Sequence, residues 1–184
     1  LSRSRAASSD AEGEVRMNDE VIYDSQFNAN EWFVIAMIVF GLLMILVLPK
    51  KFTPVQTLFN LLIGIVFGLI FDHTIGIPPF DFYDVGDDSK YHIFDIFSYA
   101  MYAPFGYLFI YLYKWLGLKG FYIIPYIVVW SFLSIGIEWL SLLVGVFHYK
   151  HGYKLIFSIP IYLYLQSIHY LLFQKLLDKQ KKME

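Results

Sequence analysis

The stretch FYIIPYIVVWSFLSIGIEWLSLLVGVF, from Phe121 to Phe147, holds one formally charged side chain, Glu138. An apolar run of about 18 or more residues is long enough to cross the hydrocarbon core of a bilayer as a helix. Four further runs surround it: Glu31 to Leu48, Pro54 to Phe71, Ile93 to Tyr113 and Lys154 to Leu177. Pro49-Lys50-Lys51 closes the first, and Pro54 suits the first turn of the second. The sequence predicts an all-α, polytopic membrane bundle of five transmembrane helices over residues 31–177.

Composition agrees. The 184 residues are 58% hydrophobic and only 16% charged, where a soluble domain is about half apolar and about a quarter charged. Fifteen Tyr, eighteen Phe and four Trp suit a chain whose amphipathic rings sit at membrane interfaces. A net charge of −2, with no basic stripe outside the membrane flanks, argues against a nucleic-acid partner. The absence of Cys excludes disulfides, thiolate metal sites and thiol catalysis. Residues 1–30 form a polar leader too poor in apolar surface to fold alone. Within it, Leu1 to Arg16 reads as an appended segment and Met17 as the native start; the first apolar run lacks the basic flank and cleavage site of a secretory signal.

Five spans put Lys50, Lys51, Lys114, Lys119, Lys175, Lys179, Lys181 and Lys182 on one side, against Lys90, Lys150 and Lys154 close to the other, with Arg16 at its margin. Lys and Arg near the membrane favour the cytoplasm. The expected orientation is therefore N-terminus outside, C-terminus inside, with residues 178–184 a basic cytoplasmic tail.

Helix-facing positions in a bilayer betray themselves by being small or polar. Thr57, Asn60, Gly64, Gly68 and Asp72 recur at three- and four-residue spacing. So do Ser131, Ser134, Glu138, Ser141, Gly145 and His148 in the fourth run, Ser158, Tyr162, Gln166 and His169 in the fifth, and Asp95, Ser98, Tyr102 and Gly106 in the third. The first run has little of this and is expected at the periphery. Glu138 stands out: about 12 Å from the outer end of its run at 1.5 Å per residue, its carboxylate must be protonated, paired or wetted. His169 reads as a satisfied core residue, too deep to pair with Glu138.

Between the second and third runs lies an acidic segment with Pro78-Pro79 and Gly86, which break a helix. Asp81, Asp84, Asp87 and Asp88 are the residue type that gathers a hard divalent cation, though their spacing is not that of an EF-hand. His148 and His151 have a usable metal spacing but no supporting Glu motif. The segment reads as a solvated loop paired with Lys150 and Lys154, and no cofactor is predicted. If the second, third and fourth helices pack together, Asp72, Asp95, Glu138 and His148 line one outward-facing acidic pocket, with Glu138 and His148 on a shared helix face. These four are the candidate catalytic residues.

At these positions the chain resembles a small five-span integral membrane family of Gram-positive spore-forming bacteria whose activity is not established. The resemblance runs from Trp32 to the C-terminus. It rests on Asp72, the DFYDVGD segment at Asp81 to Asp87, Asp95, and Glu138 followed by GVFHY at Gly145 to Tyr149. It implies a multi-pass protein of the bacterial cell membrane and no particular reaction. Three functions are consistent with the residues. The first is a non-enzymatic membrane sensor or accessory subunit, since no nucleotide loop, triad or zinc signature is present. The second is a membrane-embedded hydrolase using Glu138 and His148 as acid and base, with a cation on the aspartates. The third is a small proton- or ion-coupled transporter, though broken helices in matched repeats are missing. The expected partners are the lipid bilayer and, through a surplus seam, a second copy or another membrane protein.

Overall fold

The computed structural model describes residues 27–86 and 93–178. Most of the leader, Asp87, Asp88 and the basic tail after Asp178 lie outside the described residues, as does the side chain of Asp95. The fold is mainly helical: α1 Ala29–Val47, α2 Pro54–Asp72, α3 Ile93–Trp115, α4 Ile123–Leu143 and α5 Ser158–Leu172. A 3-10 turn, Gly120–Tyr122, leads into α4; another, Leu155–Phe157, leads into α5, which a π turn continues over Phe173–Asp178.

Local chemistry sets the ends. Asn28 caps α1, accepting from the Asn30 N–H at 3.1 Å, while the Glu31 carboxylate accepts from the Asn28 N–H at 2.7 Å. This reciprocal box starts the helix two residues before the expected Glu31. Thr53 and Gln56 do the same for α2, with Pro54 in its first turn. The fourth helix is shorter than its apolar run. Gly145 adopts φ +79° and the Val146 N–H returns to the Ser141 carbonyl at 2.8 Å, a left-handed closure that stops the helix. The chain beyond is thereby freed to pair. Phe147–Tyr149 forms strand β2, antiparallel to β1, Tyr83–Val85, with Tyr83 opposite Tyr149, Asp84 opposite His148 and Val85 opposite Phe147. The expected all-α bundle thus carries a two-stranded ribbon across one end. His148 sits on that ribbon, not on the Glu138 face of α4 as the periodicity suggested.

Four helical segments are long and apolar enough to cross a membrane: Ala29–Val47, Pro54–Asp72, Gly120–Leu143 and Leu155–Leu177. The outward surface is apolar and the interior partly polar. Leu46 is 78% exposed while Asn60 is fully enclosed, as Ser131, Ser141 and His169 very nearly are. This inverts the pattern of a soluble domain and marks a membrane-embedded protein, whose helices meet through small and polar residues. Helix α3 is the inner element: Met101, Tyr107, Phe109, Ile110, Tyr111 and Tyr113 are all buried. Its five tyrosines and Pro104 make it less apolar than its neighbours, as suits a helix facing protein.

Glycines bring α2 and α3 together. A Cβ on Gly64 would meet the Tyr102 carbonyl, one on Gly106 would meet the Asn60 carbonyl, and one on Gly68 would lie 2.7 Å from the Tyr102 ring. Helix α1 packs chiefly on α3, where Gly41 accepts the Pro104 ring. At the end away from the ribbon, Phe109, Ile110, Tyr113, Trp130 and Phe173 form an aromatic core. Phe52, in the α1–α2 connection, packs edge-on against Tyr107, Tyr111 and Phe173.

Candidate functional site

Beneath the ribbon lies a cavity of about 160 Å³ bounded by α2, α3, α4 and α5. Each helix gives it one stripe at three- and four-residue spacing: Gly64, Gly68 and Asp72 from α2, Tyr102 and Gly106 from α3, Ser134, Glu138 and Ser141 from α4, and Ser158, Tyr162, Gln166 and His169 from α5. Such spacing keeps a stripe on one helical face.

The cap is a pair of tyrosine–carboxylate contacts. Tyr83 of β1 donates to Asp72 Oδ1 at 2.6 Å, and Tyr149 of β2 donates to Glu138 Oε1 at 2.5 Å. Ser158 also donates to Glu138 Oε1, at 2.7 Å, and its hydroxyl lies 3.1 Å from that of Tyr153. Glu138 is 9% exposed, and its Oε2 is buried with no hydrogen-bond partner among the described residues. Burial first, then Asp72, raises the pKa of the Tyr83 phenol; burial and Glu138 raise that of Tyr149; burial raises that of Tyr153. All three phenols therefore keep their protons at neutral pH.

The floor is a second polar contact. Asn60 Nδ2 donates to the Gln56 carbonyl at 2.8 Å, which turns its Oδ1 toward His169 at 2.9 Å. That network assigns the proton to His169 Nε2. The Phe109 ring lies 5.4 Å from the His169 ring, at the start of the aromatic core.

Outside the cap, Lys150 pairs with Asp84 and, at 3.7 Å, with Asp81. His151 Nδ1 donates to the Asp81 carbonyl at 2.8 Å. The ribbon is extended by backbone bonds from Lys150 to Phe82 and from Gly86 to Val146.

No protein-family model, curated protein or solved structure matches this chain.

Of the candidate residues, the structure brings Asp72 and Glu138 to one cavity and leaves His148 out of its lining. Glu138 stands five residues, about 8 Å, from the end of α4 at Leu143, shallower than expected because Gly145 stops the helix. The acidic segment is not simply a solvated loop: its described part is folded onto β2, and Asp81 and Asp84 face Lys150. Among the described residues no three His, Asp or Glu side chains converge as metal ligands. His151, the other histidine of the weak metal pair, has turned to the Asp81 backbone. His169 does not bond to Glu138, yet it lines the same cavity. The residues missed were Tyr83 and Tyr149 as carboxylate donors. Each stands eleven positions after its carboxylate, a signal visible only once the strands are known.

His148, opposite Asp84, gives the ribbon a pH dependence. Burial lowers its pKa, aided by Lys150; Asp84 and the Gly86 carbonyl act upward without cancelling it. A folded value below the unfolded one means that the fold prefers neutral imidazole. The contribution is complete above the unfolded pKa of about 6.5 and is lost as pH falls through the folded value. Thermal melting in micelles is expected at a lower temperature at about pH 5.5 than at about pH 7.5. The difference should shrink in His148→Gln; an unchanged difference would remove His148 as its source.

Proposed function

We propose that this is a five-span membrane protein that binds a small ligand in the ribbon-capped cavity, acting as a receptor or accessory subunit. The α3 helix supplies the fifth crossing. Lys50, Lys51, Lys114, Lys119 and Lys175 favour a cytoplasmic location for the end opposite the ribbon, because basic residues close to the membrane tend to stay inside. The ribbon then faces outward, as befits a receptor for an external solute.

The observation that carries the reading is the cavity itself: concave and partly open, mostly apolar, with a few convergent polar groups, the usual character of a small-molecule site. Two features favour binding over the alternatives. The cytoplasmic end is filled by the Asn60–His169 contact and the aromatic core, which opposes a through-path. His148 lies outside the cavity lining, so the acid–base pair needed for hydrolysis is not assembled with Glu138.

The chain has no Cys, so single-cysteine labelling needs no background substitutions. Ser134→Cys, one turn below Glu138, is expected to react with membrane-impermeant thiosulfonates in right-side-out vesicles and to stay unreactive in inverted ones. Labelling from the cytoplasmic side would replace the receptor with a transporter. Failure to label from either side would make the cavity a packing void and end the proposal.

A further inference from the structure

We propose, building on that receptor reading, that the ligand is a small alkylammonium cation. The cavity carries two carboxylates, Asp72 and Glu138, and among the described residues its lining contains no Lys or Arg. The nearest described cation on the ribbon, Lys150, is engaged with Asp81 and Asp84 on the other side of the cap. An anion would meet two carboxylates there. An apolar ligand would leave Glu138 Oε2 as it is now, nine-tenths enclosed with no hydrogen bond among the described residues. A charged or polar group enclosed without a partner is costly in a membrane protein, and an N⁺–H or N⁺–CH₃ edge supplies what that oxygen lacks.

The rest of the lining separates an ammonium from a metal ion. Phe67, Phe71, Tyr102, Phe105, Phe147 and Tyr162 surround the carboxylates, and aromatic rings attract alkylammonium groups through their quadrupoles. A hard metal needs six or more oxygens, whereas Asp72 Oδ1 and Glu138 Oε1 are already held by Tyr83, Tyr149 and Ser158. Size agrees: an engineered cavity of about 150 Å³ holds benzene, so a cavity of about 160 Å³ takes a ligand of about six to eight heavy atoms. Choline is of that size.

The test uses Ser134→Cys in membrane vesicles, with Thr74→Cys, exposed near the ribbon end of α2, as reference. A trimethylammonium thiosulfonate should outpace a sulfonate thiosulfonate at position 134, by at least about tenfold relative to their ratio at position 74, as an acidic, low-dielectric site concentrates cations. Choline should slow the labelling, and its uncharged isostere 3,3-dimethylbutan-1-ol should not. Glu138→Gln in the same background should abolish the preference; if that variant fails to fold, Asp72→Asn should at least halve it. Equal ratios at the two positions, or equal protection by the alcohol, overturn the ammonium assignment and leave the receptor reading standing. No labelling with either reagent overturns both.

Discussion

Gly64→Val is expected to destabilise the bundle by about 3 kcal/mol, measured by reversible unfolding in mixed micelles. A Cβ at position 64 would collide with the Tyr102 carbonyl, and the carbonyl carbon behind it lies 3.0 Å away. These are backbone atoms of a buried helix and cannot rotate aside. Relief requires α2 and α3 to separate. That would also open the reciprocal contact in which Gly106 sits on the Asn60 carbonyl. Gly136 is the control: a Cβ there meets nothing within 4 Å, so Gly136→Val should change stability by under about 1 kcal/mol. Equal losses at the two positions would show that α2 and α3 do not meet as described.

Asn60→Leu is expected to cost about 1–2 kcal/mol, near the upper end for a hydrogen bond between helices in a bilayer. The loss arises at His169, which is 2% exposed and bonded to Asn60. Leucine takes away the acceptor and strands the Nε2–H in the interior. Removing both polar groups should hurt less than removing one. The double variant Asn60→Leu/His169→Phe should therefore recover part of the loss, since Phe59, Phe67 and Phe109 already surround the imidazole. A cycle of single and double variants reads the coupling directly. Strict additivity would mean that the contact contributes nothing.

The helical seams were legible because lipid makes no use of small and polar residues. Asn60, Gly64, Gly68 and Asp72 stand out within an otherwise apolar helix, and the structure places them against α3 and the cavity. The same holds for Ser134, Glu138 and Ser141 on α4 and for Tyr162, Gln166 and His169 on α5. What could not be read was the ribbon. Tyr83–Val85 and Phe147–Tyr149 have three residues each, too few to show an alternating period, and their pairing joins distant parts of the chain. Gly145 was read as one more small residue on a helical face, although its positive φ ends the helix. That misreading carried His148 onto the wrong element and concealed Tyr149, the phenol that holds Glu138. The α1–α3 contact was hidden for a related reason. Gly41 is the single glycine of α1, and its partner Pro104 is better known for bending helices than for packing on glycine.

The two strands of the ribbon carry matching contacts. Tyr83 stands opposite Tyr149, and each phenol donates to a carboxylate eleven positions before it, Asp72 and Glu138. The ribbon therefore fastens α2 and α4 alike, each by one phenol on one carboxylate. A shift of one strand against the other would pull on both carboxylates at once, so the rim ties the α2 side of the cavity to the α4 side.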